Sequence, residues 1–159
     1  MNQMALQWVD RLHLEPHPEG GYYARVYQSD RRMSVASSPG DRGRACCTHI
    51  YYLLEGNDFS AFHRIGSDEL WHFYAGHPLR IYELDKSGRL QEHALQEGSP
   101  FAWVAAGNWF GARLETGGYA LVGCTVSPGF DFQDFELARR EDLARVFPQH
   151  RQLIYSLTR

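Results

Sequence analysis

Cysteine is scarce in this chain of 159 residues: only Cys46, Cys47 and Cys124 occur. An odd number with an adjacent pair speaks against a disulfide framework, and no CxxC spacing marks a zinc or redox site. The three read as small buried apolar side chains in a reducing compartment. Basic charge is in no surplus. Sixteen Lys and Arg face nineteen Asp and Glu, a formal net charge of −3. A nucleic-acid partner is therefore not expected, since phosphate neutralisation draws on a basic patch or stripe. No run approaches about 18 apolar residues, so no membrane span is expected. The opening residues, MNQMALQWVDRLHLE, lack a basic stretch, an apolar core and a cleavage site. No secretory signal is expected there, and the cytoplasm is the expected location.

What the chain has is aromatic surface and glycine. Four Trp, nine Tyr and nine Phe make up 14% of the residues, and fifteen Gly punctuate short apolar runs. That pattern suggests many short strands, an all-β sandwich or barrel. Hydrophobic content of 43% with 22% charged suits a folded globule. The length fits one domain, residues 1–159, able to bury roughly 70% of its unfolded surface.

Met4, Trp8 and Leu12 recur at helical spacing, predicting a short amphipathic helix over Gln3 to Leu12. Pro16, Pro18 and Gly20-Gly21 end it. His13 and His17 in this Pro-rich stretch read as solvated loop residues, and Glu19-Gly20-Gly21 as a place where backbone N–H groups approach a ligand. Strands are predicted over 22–27, 47–54, 59–65, 69–74, 79–84, 90–95, 101–104, 109–114 and 119–126. Short turns between them imply antiparallel pairing. Ser29 to Arg44 reads as a long exposed loop. Helices are expected over 136–146 and 149–156. The 59–65 strand alternates, which places Phe59, Ala61, His63 and Ile65 on one face and Ser60, Phe62 and Arg64 on the other. In the next strand it places Glu69, Trp71 and Phe73 together and turns His72 away.

The segment Gly56 to Gly76 resembles the first motif of the cupin superfamily: His63, Glu69 and Gly76 fall on its positions. Ala105-Ala106-Gly107-Asn108-Trp109-Phe110 resembles the second. Pro18-Glu19-Gly20-Gly21-Tyr22, Phe62-His63-Arg64, Ser67 to Gly76, Ala106 to Ala112 and Gly123 to Phe132 together resemble one cupin family in particular. It is catalogued as domain of unknown function 985, or cupin 5, and often labelled a predicted sugar epimerase by analogy with dTDP-sugar epimerases. The resemblance implies a double-stranded β-helix, the cupin jelly roll, flanked here by short N- and C-terminal helices. It also implies a homodimer and a cavity between the sheets for a small molecule, with a sugar or nucleotide-sugar as first guess.

Metal-binding cupins use two His and a Glu of the first motif and a His of the second. Ile65 and Phe110 stand at two of those four positions, and neither can coordinate an ion. No metal or other cofactor is therefore expected. The one remaining set, His63, Glu69 and His72, would need a bulge to rotate His72 inward. The expected chemistry is metal-independent epimerisation or isomerisation beside a carbonyl, with His63 as base and Glu69 as its carboxylate partner. An acid on the opposite face is sought among Tyr52, Tyr74 and Tyr119. Tyr52, Trp71, Phe110, Glu19 and Tyr119 are the expected ligand-binding residues. Two alternatives stand beside this reading: a non-catalytic ligand-binding cupin, and a metal-dependent oxygenase or isomerase.

Overall fold

In a computed structural model describing residues 2–34 and 43–159, the chain opens with α1 (Gln3–Leu12). The Asn2 side chain caps it, accepting from the N–H groups of Met4 and Ala5, which have no partner inside the helix. His13 stops it in a left-handed conformation, φ 52°. Thirteen strands follow among the described residues: β1 (Glu15–Pro16), β2 (Tyr22–Gln28), β3 (Arg32–Met33), β4 (Arg44–Ala45), β5 (Thr48–Glu55), β6 (Phe59–Arg64), β7 (Asp68–Gly76), β8 (Leu79–Leu84), β9 (Leu90–Leu95), β10 (Phe101–Val104), β11 (Trp109–Leu114), β12 (Tyr119–Ser127) and β13 (Glu136–Leu137). Helices α2 (Arg140–Val146) and α3 (Arg151–Ser156) close the chain.

Every strand pairing is antiparallel. One sheet has the order β1-β2-β5-β12-β7-β10, and the facing sheet β13-β6-β11-β8-β9. This is the expected jelly roll. Tyr52, Trp71, Ile81, Phe110 and Val122 fill the space between the sheets, each contributing roughly 1.5–3 kcal/mol by leaving water. Two smaller cores form on the outside. The C-terminal helices cover Phe62, Tyr82 and Leu84 of the smaller sheet, and α1 covers Leu53 and Leu121 of the larger.

Two local readings are corrected. Residues 136 and 137 form a strand rather than the start of a helix, because the edge of β6 offers pairing at Arg64 and His63. The helix begins only at Arg140. Part of the stretch read as an exposed loop forms the short β3–β4 ladder; its residues 35–42 lie outside the described residues.

The larger correction concerns β6. Its pairing with β11 runs Phe110↔His63, then Ala112↔Ser60, so β6 carries one residue more than its partner. This bulge breaks the alternation. Phe59 packs outward against the C-terminal core, while Ser60 joins His63 in reaching the same carboxylate (below). Consecutive N–H groups at the bulge find different partners: Ala61 donates to the Glu19 carbonyl and Phe62 to that of Leu157, both at 2.8 Å. Gly111 permits it. A Cβ there would stand 2.8 Å from the Ser60 carbonyl oxygen and 3.2 Å from the Phe62 nitrogen.

Candidate functional site

The segment 17–21 folds down over the open end of the sandwich. Gly20 and Gly21 have φ of 115° and 69°, and a Cβ on Gly20 would lie 2.2 Å from the Phe59 carbonyl oxygen. Only glycine allows both the backbone angles and this approach. The N–H of Gly21 is taken by Asp58 Oδ2 at 2.8 Å, and that of Gly20 by the His17 carbonyl. The expected backbone approach to a ligand is therefore not what these glycines provide. They let the Glu19 side chain drop between the sheets, where it is buried.

Glu19 gathers the centre of the site. Its Oε1 accepts from the Ser60 hydroxyl at 2.8 Å, and its Oε2 lies 3.2 Å from His63 Nε2. His63 Nδ1 is 2.8 Å from the Ala61 carbonyl oxygen. A carbonyl only accepts, so Nδ1 carries the hydrogen. The other ring nitrogen, Nε2, is therefore the one that faces the Glu19 carboxylate. Phe110 and Phe135 flank the imidazole, with ring centroids 4.1 and 5.4 Å away.

His17 is the second histidine of the site, and reading it as solvated is corrected. Its side chain is nearly buried, edge-on to Tyr23 at 4.6 Å and to Tyr52 at 6.0 Å. The N–H of Glu19 donates to its Nδ1 at 3.3 Å, which fixes the neutral tautomer. Burial pushes its pKa down; the Glu19 carboxylate opposes that shift, and His63 adds to it.

Glu69 lies across the pocket on β7, buried. Burial and the neighbouring Glu19 charge raise its pKa to about 8, against a hydrogen bond from the Cys124 thiol that lowers it. At neutral pH it is mostly a carboxylic acid. The Cys124 thiol is itself pushed well up by burial and by Glu69, so it is inert as a nucleophile. Glu69 thus shares the pocket with His63, but the carboxylate bonded to His63 is Glu19, not Glu69.

The other anticipated residues are distributed differently. Tyr52 lines the pocket, but its hydroxyl donates to the Gly20 carbonyl at 2.8 Å, and burial raises its pKa far above the phenolic range. Trp71 and Phe110 are core residues, 0% and 1% exposed, and offer no face to a ligand. Tyr119 sits on the outside of the larger sheet beneath α1, its hydroxyl 3.4 Å from Trp8 Nε1. Tyr74 is also outside, bonded to His49 Nε2 at 3.1 Å. His72 remains on that outer face, with Nε2 3.2 Å from Thr125 Oγ1. β7 has a bulge of its own at Tyr74, where Leu121 pairs with Ala75 and Val122 with Phe73. His72, however, lies in the regular ladder opposite Gly123 and Phe101, so it is not rotated inward. The His63, Glu69 and His72 triad is not assembled, and no group of three His, Cys, Asp or Glu side chains among the described residues could hold a metal. With Ile65 and Phe110 at two of the cupin ligand positions, the residues present do not fit the metal of that superfamily.

The space enclosed by these groups is about 30 Å³, room for a water molecule or one small functional group. It opens at Arg25 and Phe130, which also line an outer vestibule of about 300 Å³. A larger cleft of about 740 Å³ runs along the outside between β13 and α2. No buried titratable group faces it, and its Arg64 is already paired with Glu136 at 2.7 Å and stacked on Trp109. Size favours the outer cleft, but chemistry favours the inner pocket, where buried groups with shifted pKa values converge. The signals for Glu19 and for the bulge were present in the sequence, in Gly20-Gly21 and in Gly111, a glycine inside a strand.

Comparison with known proteins follows this geometry. No curated protein matches the chain. A protein of Shewanella oneidensis of known structure is 37% identical over 100% of this chain and 98% of its own, with a TM-score of 0.87. A hypothetical protein from Leishmania major is 32% identical over 97% and 98%, with a TM-score of 0.84. Oxalate decarboxylase from Bacillus subtilis is 15% identical, with a TM-score of 0.58 over 89% of this chain and 36% of its own; that likeness is one of fold. The profile described as "Cupin superfamily (DUF985)" matches residues 6–138, and the chain belongs to that family.

Proposed function

We propose that the inner pocket binds a small carbonyl-bearing metabolite and moves a proton on it without a metal, as a sugar or sugar-nucleotide epimerase or isomerase. One observation carries the reading. A histidine of fixed tautomer and a carboxylic acid kept protonated near pH 7 line one cavity, through opposite environments. A substrate carbonyl group that enters beside His63 displaces the Glu19 contact. The ring then presents an unprotonated Nε2, anchored from behind by Nδ1–H on Ala61. Nε2 takes the proton from the carbon next to the carbonyl; the C–H electron pair moves into the new C=C bond, and the carbonyl oxygen takes the proton of Glu69. The His63 proton delivered to the former carbonyl carbon, while the Glu69 carboxylate takes the proton of the adjacent hydroxyl as its C=O forms, gives the isomer. A proton from water delivered to the opposite face of the original carbon, with the enol proton returned to Glu69 and the His63 proton passed to water, gives the epimer. Glu69 replaces the tyrosines as the acid, because Tyr74 and Tyr119 lie outside the sandwich and the Tyr52 proton is held by Gly20.

The test is deuterium uptake from D₂O into a bound keto-sugar, followed by NMR. The native protein exchanges the proton beside the carbonyl, and His63→Gln and Glu69→Gln each lose exchange by about 10²-fold or more. A second reading, binding without catalysis, is favoured by the small volume and by the mutual satisfaction of Glu19 and His63. It is the outcome if the native protein binds the sugar and exchanges nothing.

A further inference from the structure

The inner pocket and the vestibule differ tenfold in volume, about 30 against 300 Å³. If the inner pocket is the ligand site, as read above, most of any ligand must lie outside it. The vestibule carries three guanidinium groups, Arg25, Arg32 and Arg44. Arg44 pairs with Asp134 at 2.5 Å, and Arg32 donates to the Gly43 carbonyl. Arg25 differs. It stands on β2 opposite Ile50, at the point where the two cavities meet, exposed and bonded to neutral Gln28 Oε1 at 3.0 Å. No carboxylate among the described residues pairs with it. The acidic residue of the vestibule, Asp131, is turned to its own chain and accepts from the Gln133 N–H at 2.9 Å. Phe130 and Phe132, edge to face at 4.9 Å, supply an apolar wall beside the cation. A guanidinium without a counter-ion at a cavity mouth suits a phosphate or carboxylate, which it can grip through two N–H groups.

We infer that Arg25 is an anion-binding residue at the mouth of the site, so that the ligand is a phosphorylated or carboxylated small molecule with its anionic group in the vestibule and its reacting carbonyl end directed at His63. The inference rests on the inner pocket being the ligand site, but its test does not need catalysis. Binding of inorganic phosphate, pyrophosphate, glucose 1-phosphate, glucuronate and neutral glucose is measured by calorimetry at 50 and 200 mM salt. Native protein binds at least one of the anions, more weakly at high salt. Arg25→Gln weakens that binding at least tenfold and Arg25→Lys by less. The phosphate and glucuronate arms separate the two anion chemistries. Native protein that binds none of the anions, or Arg25→Gln that binds them as tightly as native, overturns the inference whatever the exchange experiment shows. Loss of exchange chemistry with anion binding still dependent on Arg25 overturns only the catalytic reading.

Discussion

Two buried carboxyl groups of this molecule teach opposite lessons. Glu83 and Glu69 are 4% and 7% exposed, so burial alone does not distinguish them. Glu83 is saturated with donors. Its Oε1 accepts from the Ala105 N–H at 3.1 Å and from Asn108 Nδ2 at 2.7 Å, and its Oε2 meets His93 Nε2 at 2.8 Å. It ties the turn before β11 to the sheet. Glu69 has the Cys124 thiol, a weak donor, and the charge of Glu19 nearby, so the proton stays on it. Donor supply, rather than depth, separates a carboxylate that holds structure from an acid available for chemistry.

The largest effect is expected where donors would be stranded. Glu83→Ala leaves the Ala105 N–H and the Asn108 amide without their acceptor, and should cost about 3 kcal/mol in denaturant unfolding. A loss below about 1 kcal/mol would mean that water replaces the carboxylate and that the contrast with Glu69 is false.

Next comes pH. The folded pKa of Glu69, about 8, lies above its unfolded value, so between about 4.5 and 8 the native state binds more protons than the unfolded one. This group therefore takes stability away as pH rises through that window, at no more than about 1.4 kcal/mol per pH unit. His17, with its pKa pushed down, acts in the opposite sense, costing stability as pH falls below its unfolded value near 6.5. Glu69→Gln removes only the first contribution. The native protein minus Glu69→Gln should show stability falling from pH 5 to 8, and a flat difference would place Glu69 among ordinary ionised carboxylates.

The smallest effect sharpens the comparison within the pocket. Ser60 supplies a single neutral hydrogen bond to Glu19, so Ser60→Ala should cost about 1 kcal/mol and leave the fold unchanged by circular dichroism. A loss of several kcal/mol would mean that the bulge in β6, rather than the hydroxyl, depends on Ser60.

Much of the fold was legible because its signals are local. The helix over Gln3 to Leu12 follows from apolar spacing, and the β8–β9 hairpin from Asp85 to Gly88 between two apolar runs. Ile65 and Phe110 already argued against the superfamily's metal, and alternation already turned His72 outward. Two things were not legible in that way. The carboxylate partner of His63 comes from a separate loop: Glu19 is 41 residues from Ser60 in the chain, and only the descent of that loop into the sandwich selects it over Glu69. The face shared by Ser60 and His63 comes from a bulge, which alternation by itself does not anticipate.

The sequence by itself determined the antiparallel sandwich, its terminal helices and the residue types available to the pocket, because backbone pairing, capping and apolar burial act over a few neighbouring residues. Only the tertiary structure decided which carboxyl group meets the imidazole and which keeps its proton, and that Arg25, at the mouth, has no acidic partner among the described residues. Those outcomes depend on distances between segments remote in the chain and on how many donors each buried group finds once water has been excluded.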